Sequence, residues 1–264
     1  SGIKKNNKSI LYIGTVPTDV VYSLSGMKDM PGVVVTASHN PKEWTGLKLC
    51  NKGATPIGIE TGLLEIKNKV ANLNIDIDIQ NNFEEENIVD SYIEHLNSIV
   101  ETRNINDSIS FGIDAGNGAL GSVIEKLENS YNLNFDSLYM DVDGNFPNHP
   151  ADPSDENNLK ELKALVIEKN KAFGVAFDGD ADRAVFIDNL GNLISGSLMT
   201  AIISDWLNEK KGNLKIVHNV NVSPSVVKYL KEKGITTIRS KVGHSYIKQI
   251  MKEEDADFGG EHSA

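Results

Sequence analysis

Short apolar runs alternate with segments of helical periodicity along most of the chain. The strand-like runs occupy residues 10–13, 33–35, 109–113, 173–177, 184–187, 215–217 and 235–238. Between them the apolar positions recur three and four residues apart, as in Leu159, Leu162, Leu165 and Val166. Strands that alternate with helices are typical of βαβ units. The pattern therefore predicts mixed α/β domains.

Interruptions of this pattern predict three consecutive domains. Polar and turn-forming residues break the pattern near residues 102–107 and again near residues 189–196. We therefore expect α/β domains at residues 1–102, 103–192 and 193–264. In the first of these, the alternating residues 75–79 are expected to form a half-buried strand.

Composition narrows the class of protein. The 264 residues are 39% hydrophobic and 24% charged, which is typical of a globular protein, and no stretch approaches the roughly 20 apolar residues of a membrane span. We see no secretory signal. The single cysteine, Cys50, cannot form an internal disulfide, which fits a reducing compartment. We expect a soluble, cytoplasmic protein without a membrane partner.

Charge excludes one kind of partner. The formal net charge of -11, without a dense block of Lys or Arg, argues against a nucleic-acid-binding surface. Small anionic ligands are not excluded, because local basic groups bind them. Any phosphate site must therefore be locally basic. The sequence does not indicate an oligomeric state.

A run of acidic residues follows the strand-like residues 173–177. Asp178, Asp180 and Asp182 stand at alternate positions and Arg183 comes next. Alternate residues of an extended segment point to one side, so we expect the three carboxylates to converge. Converging anions repel one another unless a cation neutralises them or one is protonated. A hard divalent cation bound by Asp178, Asp180 and Asp182 is the simplest solution.

Two other interpretations of the acidic run compete with the metal site. A solvated acidic turn explains many clusters of Asp and Gly, but the apolar flanks and the strict alternation count against it here. An EF-hand loop also begins with alternating aspartates. It is excluded because Arg183 and Asn189 stand where that loop needs Gly and a bidentate Glu.

Ser38 lies in a second chemical segment, Thr-Ala-Ser-His-Asn-Pro at positions 36–41, directly after a strand-like run. His39 is its neighbour, so Ser38 suits either acyl transfer or a phosphoryl carrier. The glycine-flanked elbow expected for acyl transfer is absent, and a phosphorylated serine fits a metal loop better. A turn serine that bonds only its own backbone remains the alternative.

A glycine-rich segment offers a competing hypothesis. Residues 116–121 match the dinucleotide-binding pattern G-x-G-x-x-G, and Asp141 lies beyond them as that fold would require. Nothing else resembles a hydride-transfer site. We therefore favour a tight strand-to-helix turn at residues 114–118 over an oxidoreductase.

Two segments near the end of the chain are candidates for ligand binding. Arg239 and Lys241 precede a predicted helix whose start, Gly243 and His244, would offer backbone N–H groups to an anion. A capped surface helix with solvated bases is the alternative. Residues 259–263 then predict a flexible loop, whose Glu261 and Ser263 suit hydrogen bonds to sugar hydroxyls.

Together these motifs resemble the α-D-phosphohexomutase superfamily, within it the phosphomannomutase/phosphoglucomutase branch. Residues 36–41 are similar to its phosphoserine loop, residues 178–183 to its metal loop and residues 260–263 to its sugar-recognition loop, in the family's order. The resemblance covers nearly the whole chain. It implies consecutive mixed-sheet α/β domains of the phosphohexomutase type.

The resemblance also implies roles for the residues. Ser38 would carry the phosphoryl group and join Asp178, Asp180 and Asp182 around Mg²⁺, with Arg183 on the phosphoserine. His39 and Lys48 would handle protons. The implied reaction interconverts hexose 1-phosphate and hexose 6-phosphate through a hexose 1,6-bisphosphate. The phosphorylated hexose would be bound by a set of residues near the end of the chain: Arg239, Lys241, His244, Glu261, His262 and Ser263.

Departures from the family pattern leave alternatives open. Two family motifs, an early Gly-Thr-Ser loop and a late phosphate-binding loop, do not occur. We therefore expect a chain truncated at both ends and inactive or very weak alone. A phosphoglucosamine mutase is the nearest alternative, although His262 favours a mutase that acts on mannose or glucose phosphates. A non-catalytic module that binds a metal or a sugar phosphate is the alternative from another class.

Overall fold

The computed structural model describes residues 8–72, 85–100 and 108–262. These residues form three β-sheets with helices packed against them. The predicted strand at residues 75–79, the predicted boundary at residues 102–107, and Ser263 lie outside the described residues. The three proposed domain ranges stay predictions.

The first sheet is a small antiparallel one that carries the serine segment. Its strands and helices are β1 (Gly32–Val35), β2 (Leu47–Asn51), β3 (Thr55–Pro56), α1 (Thr18–Lys28), a π-helical turn (Ile59–Leu63) and α2 (Leu64–Ala71). Val35 pairs with Leu47, so residues 36–46 connect two paired strands at one end of the sheet. Ser38 therefore projects from the end of the first sheet.

The predicted strand at residues 10–13 is wrong. In this segment only Tyr12 makes a single isolated bridge, to Glu85. Leu11 and Ile13 instead pack against the core formed by buried residues such as Val20 and Ile88. The apolar run reflects packing against helices and not pairing in a sheet.

The middle sheet has the order β5-β4-β6-β7-β8. Its elements are α3 (Val89–Ile99), β4 (Ser110–Asp114), a 3₁₀ turn (Ala119–Ser122), α4 (Ile124–Tyr131), β5 (Asn134–Leu138), a 3₁₀ turn (Glu156–Leu159), α5 (Lys160–Glu168), β6 (Phe173–Phe177), β7 (Ala184–Asp188) and β8 (Leu193–Ile194). Strands β5, β4 and β6 are parallel, whereas β7 and β8 are antiparallel additions. The prediction of a mixed α/β fold is confirmed.

The third sheet is parallel, with the order β10-β9-β11. Its elements are α6 (Gly196–Lys211), β9 (Lys215–Asn219), α7 (Pro224–Glu232), β10 (Thr236–Ser240), α8 (His244–Glu254) and β11 (Phe258–Gly260). Its core is formed by Leu214, Ile216, Leu230 and Ile235. The carboxyl ends of parallel strands lie at one edge of a sheet, so the residues after β9, β10 and β11 lie close together.

The predicted flexible loop at residues 259–263 is wrong in its first part, since Gly259 and Gly260 lie in β11. These glycines allow helices to approach the strand. A Cβ atom on Gly259 would lie 2.6 Å from Cγ2 of Ile247 on α8, and one on Gly260 would lie 2.3 Å from Cγ2 of Thr200 on α6. Both contacts are too close for a real side chain.

The other predicted strands that lie within the described residues are confirmed to within one or two residues of their ends. In the described part of the chain, no helix has both the length and the apolar character needed to cross a membrane.

Candidate active site

Ser38 lies on a tight turn directly after β1. Its backbone adopts the left-handed conformation, with φ of 55°, which costs on the order of 1–3 kcal/mol outside glycine. Its backbone N–H donates to Oγ1 of Thr36 at 2.8 Å, and the N–H of Asn40 donates to the carbonyl of Ala37 at 3.0 Å. These bonds fix the turn. The Ser38 hydroxyl then donates to Oδ2 of Asp178 at 2.7 Å, across 140 positions of sequence.

The three aspartates converge on a second tight turn, between β6 and β7. One carboxylate oxygen from each of Asp178, Asp180 and Asp182 lies within 4.8 Å of the others. The convergence was predicted, but its predicted cause was wrong. The segment is not extended, because the N–H of Ala181 donates to the carbonyl of Asp178 at 2.9 Å and Ala181 has φ of 55°.

Burial and repulsion make this cluster costly. Asp178 is fully buried and Asp180 is 3% exposed. Loss of hydration, followed by the charge of Asp180, raises the pKa of Asp178 to about 6. Burial also acts to raise the pKa of Asp180, but the hydrogen bond and charge of Lys48 outweigh it and lower that pKa.

Lys48 on β2 stabilises the aspartate cluster through two ion pairs. Its Nζ donates to Oδ2 of Asp180 at 2.6 Å and to Oδ2 of Asp182 at 2.5 Å. Burial acts to lower the pKa of Lys48, and the two carboxylates overcome it, so the pKa is raised. Lys48 is therefore protonated at neutral pH.

The cluster fits a hard divalent cation. Its donors are all carboxylate oxygens, the ligands that Mg²⁺ and Ca²⁺ prefer. Oδ1 of Asp180 is buried and has no hydrogen-bond partner in the described part of the chain. Such an orphaned oxygen is costly unless a cation satisfies it. The residues at this turn thus suit a metal site.

His39 and Arg183 complete the group around Ser38. Nδ1 of His39 lies 3.2 Å from Oγ of Ser38 and 3.0 Å from Nη1 of Arg183. A guanidinium can only donate, so Nδ1 of His39 acts as an acceptor. The N–H of Arg183 donates to Oδ1 of Asp178 at 3.2 Å. Arg183 contacts His39 and Asp178 directly, and its contact with a phosphorylated Ser38 stays a prediction.

Thr18, the second residue reaching Asp180 from the first part of the chain, was missed by the sequence analysis. Its hydroxyl donates to Oδ2 of Asp180 at 2.8 Å and its backbone N–H donates to the Asp180 carbonyl at 2.9 Å. Pro17 and Thr18 indicate only a helix start. No local signal identifies a contact with a residue 162 positions away.

The glycine-rich segment at residues 116–121 packs against the loop that carries the three aspartates. A Cβ atom on Gly118 would lie 2.8 Å from the carbonyl oxygen of Gly179, and one on Gly179 would lie 2.5 Å from the carbonyl oxygen of Ser38. The three backbones are therefore stacked in contact. The predicted tight turn after β4 is confirmed, and the glycines serve close packing of loops.

The residues after β9, β10 and β11 form the second part of the site. Oε1 of Glu261 accepts from Nδ2 of Asn219 at 3.2 Å and from the N–H of Gly243 at 3.0 Å. Gly243 is the N-cap of α8, so the predicted helix start at His244 is confirmed. Asn219, which is fully buried, was another residue missed by the sequence analysis.

His244 connects the two parts of the site. Its pKa is lowered by partial burial and then by the charge of Lys248, and Asp182, Lys48 and Glu261 also act on it. Charged groups at the ends of the middle and third sheets therefore act together on the pKa of His244.

Arg239 and Lys241 lie further out. Arg239 is exposed near the end of β10, and Nζ of Lys241 lies 5.5 Å from the ring centroid of Tyr246. Neither is joined to Ser38 or to the aspartates by a hydrogen bond or ion pair in the described residues. Their role in binding an anion stays a prediction.

A cavity of about 470 Å³ lies between the middle and third sheets, and Glu261 and His262 line it. A larger cavity of about 880 Å³ lies between α1 and α8, but Ser38, Lys48 and the three aspartates do not line it. The same residues do not line the smaller cavity either, and we favour it as the ligand site because Glu261 and His262 line it.

The fold and site define a class of α/β protein in which loops from successive sheets bring a serine together with a carboxylate cluster suited to a metal, and in which a cavity lies between the middle and third sheets. Family models for phosphoglucomutase/phosphomannomutase match the chain in three parts: α/β/α domain I at residues 1–74, domain II at residues 90–191 and domain III at residues 195–264. The chain belongs to the phosphoglucomutase/phosphomannomutase family of the α-D-phosphohexomutase superfamily.

Known proteins agree with this assignment. The chain is 32% identical to a phosphomannomutase of Vibrio cholerae over 272 residues, and 35% identical to a phosphomannomutase of Methanocaldococcus jannaschii over 270 residues. These matches cover 100% and 98% of this chain, and 58% of each relative. A crystal structure of a phosphoglucomutase/phosphomannomutase family protein from Burkholderia thailandensis matches with a TM-score of 0.84 at 27% identity, covering 100% of this chain and 58% of that one.

Proposed function

We propose that the protein carrying this chain is a Mg²⁺-dependent hexose-phosphate mutase that moves a phosphoryl group between C1 and C6 of mannose or glucose phosphates. The observation that carries the proposal is the hydrogen bond of 2.7 Å between Ser38 Oγ and Asp178, at the edge of a cluster of three carboxylates. A serine hydroxyl held against a metal site suits phosphoryl transfer.

Each residue of the first part of the site has a role in this proposal. Ser38 carries the phosphoryl group, and Asp178, Asp180 and Asp182 hold Mg²⁺. The bound ion supplies positive charge that offsets the charge of the transferring group. Arg183 adds a guanidinium on the same side.

Proton transfer falls to Lys48 and His39. When Ser38 gives its phosphoryl group to a sugar hydroxyl, that hydroxyl loses a proton and the serine oxygen gains one. Lys48 is held in its protonated form by its two carboxylate partners and can supply the proton that the serine oxygen gains. The proton lost by the sugar hydroxyl would pass to Nδ1 of His39, which lies 3.2 Å from Ser38 Oγ and so beside the reacting phosphoryl group.

The second part of the site would bind the sugar phosphate. Both described donors to Glu261 reach Oε1, which leaves its other oxygen for a sugar hydroxyl. The start of α8 at His244 would bind a phosphate through backbone N–H groups of its first turn, assisted by Arg239 and Lys241. The hexose 1,6-bisphosphate intermediate would turn over within the site so that either phosphate can return to Ser38.

Replacing the serine tests the proposal. In the protein that carries the chain, Ser38→Ala should lower turnover of glucose 1-phosphate or mannose 1-phosphate by roughly 10³-fold or more, because the phosphoryl carrier is lost. Ser98→Ala, on α3, should keep full activity. A fully active Ser38→Ala variant would refute the mutase.

Two other functions are distinguished by direct assays. A phosphoglucosamine mutase would turn over glucosamine 6-phosphate faster than glucose 1-phosphate, and His262 favours the opposite result. A non-catalytic binding module would show tight binding of hexose phosphate by calorimetry and no turnover. Residence in the cytoplasm stays a prediction.

A further inference from the structure

We propose that Ser197 is a positioning residue that fixes the tautomer of His262, so that His262 presents a neutral Nε2–H donor to the ligand cavity and selects a hydroxyl-bearing sugar. The inference about the tautomer stands on geometry alone. The inference about sugar selection rests on the proposed mutase function.

Ser197 lies at the start of α6 and is only 3% exposed. Its Oγ lies 2.9 Å from Nδ1 of His262, 65 positions along the chain. The same oxygen accepts a hydrogen bond of 3.1 Å from the N–H of Ser223, the N-cap of α7. One buried hydroxyl thus joins the starts of α6 and α7 to the sugar loop.

The direction of the bond to His262 follows from counting protons. A serine hydroxyl has one proton to donate and two lone pairs to accept with. Ser223 uses a lone pair, so the proton still needs an acceptor, and in the described part of the chain Nδ1 of His262 is the partner in reach. A buried hydroxyl without an acceptor is costly. Nδ1 of His262 is therefore unprotonated, and Nε2 carries the proton.

This tautomer has a consequence for the ligand. His262 lines the cavity of about 470 Å³ together with Glu261. A fixed Nε2–H donor beside a carboxylate acceptor matches a sugar hydroxyl, which both accepts and donates. A protonated amino group only donates, so it would face the Nε2–H of His262 unfavourably. The pair thus discriminates against amino sugars at the position that His262 reaches.

Nuclear magnetic resonance of the ¹⁵N-histidine-labelled protein tests the tautomer without any assay of activity. Correlation spectra of the ring nitrogens, with the His262 signals identified by their loss in His262→Gln, should show His262 with unprotonated Nδ1 and protonated Nε2. In Ser197→Ala the two tautomers should mix. Ser197→Thr, which keeps the hydroxyl, should restore the wild-type spectrum.

The matched control is Ser195→Ala. It removes the N-cap hydroxyl that accepts from the N–H of Leu198 at the start of the same helix, but it leaves the bond to His262 in place. Its spectrum for His262 should be that of the wild type. A wild-type spectrum with protonated Nδ1 would overturn the proposal, as would an unchanged His262 spectrum in a folded Ser197→Ala variant.

Kinetics test the selection of sugar. Ser197→Ala should raise KM for glucose 1-phosphate by about 5- to 10-fold with kcat nearly unchanged, as expected for one weakened hydrogen bond. It should also narrow the preference over glucosamine 1-phosphate, and Ser197→Thr should restore both. An unchanged KM and preference in Ser197→Ala would overturn the selection. Failure of the mutase proposal would instead appear as a wild-type protein without turnover but with the predicted His262 spectrum.

Discussion

The serine–metal region and the sugar loop are built by opposite means. Around Ser38 the chain holds buried carboxylates together, and it uses left-handed backbone at Ser38 and Ala181 to do so. Around Glu261 one carboxylate receives neutral donors, Asn219 and the N–H of Gly243, at the regular ends of parallel strands. The serine–metal region is therefore destabilised by its buried carboxylates unless a metal binds. The region around Glu261 extends a sheet and carries no such cost.

The contrast between the two regions predicts that removing a charge has its largest effect in the serine–metal region. Asp180→Asn should weaken Mg²⁺ binding by more than about 100-fold. Loss of a residue that only supports a metal ligand already costs roughly 10- to 100-fold, and Asp180 is proposed to be a ligand itself. Titration calorimetry of the metal measures it. Asp141→Asn, with the same change of charge at an exposed position, should bind Mg²⁺ as the wild type does. Equal affinity in both variants would remove Asp180 from the metal site.

In the sugar loop a single substitution should act on the substrate alone. Glu261→Gln should lower kcat/KM for the hexose phosphate by about 10- to 100-fold, the equivalent of one hydrogen bond to a charged group. Binding of Mg²⁺ should not change. Glu232→Gln, on the exposed surface of α7, is the control. A loss of metal affinity in Glu261→Gln would mean that the two regions are not independent.

The instability of the metal region should be visible without metal. The folded-state pKa of Asp178, about 6, is raised above the ordinary value of 3.8, so ionisation of Asp178 costs stability as pH rises from about 4 to about 6. Asp178→Asn should remove that cost and raise the free energy of unfolding at pH 8 by roughly 2–3 kcal/mol in the presence of a chelator. With excess Mg²⁺ the order should reverse. A destabilised variant in chelator would show that the cluster is not strained.

Contact between the serine and metal loops gives a smaller effect. Gly179→Ala would place a Cβ atom 2.5 Å from the Ser38 carbonyl oxygen, a backbone atom that cannot easily move. Urea unfolding should show a loss of about 1–2 kcal/mol. Gly144→Ala, where no atom lies within 4 Å, should change little. Equal stabilities would indicate that the loops separate freely.

The smallest effect is expected for His149, which contacts Asp114 at the end of β4. Nε2 of His149 faces Oδ2 of Asp114 at 3.1 Å and Nδ1 faces the Pro150 carbonyl at 2.8 Å, and the Asp114 hydrogen bond raises the pKa of His149 above 6.5. The stabilisation is therefore complete below pH 6.5 and is lost as pH rises through the raised pKa. His149→Gln should lose about 1 kcal/mol at pH 6 and less at pH 9. His95→Gln serves as control, and a pH-independent loss would contradict this account.

The residues assigned to the candidate site could be proposed from sequence because their types and spacing are specific, and their roles in the reaction stay predictions. Ser38, the three aspartates and Glu261 stand in compact motifs. Thr18, Asn219 and Ser197, which hold those residues in place, could not be predicted. Each is a common polar residue whose partner lies 162, 42 or 65 positions away, so only the folded chain identifies it.

The fold was predicted best where apolar runs form paired strands. It was wrong at residues 10–13, where an apolar segment packs against helices, and at Gly259 and Gly260, where glycine permits close packing and does not mark a loop. The aspartates converge through a tight turn that their alternation does not reveal. In each case the deciding contact comes from a distant element.

The central claim is that Ser38 and the aspartate turn form one metal-dependent phosphoryl-transfer site. Incubation of the dephosphorylated protein with radiolabelled glucose 1,6-bisphosphate, followed by peptide mapping, tests it most directly. The account predicts phosphate on Ser38 in the presence of Mg²⁺, and almost none with a chelator or in Asp180→Asn. Phosphate on another residue, or equal labelling of Ser38 without metal, would contradict it.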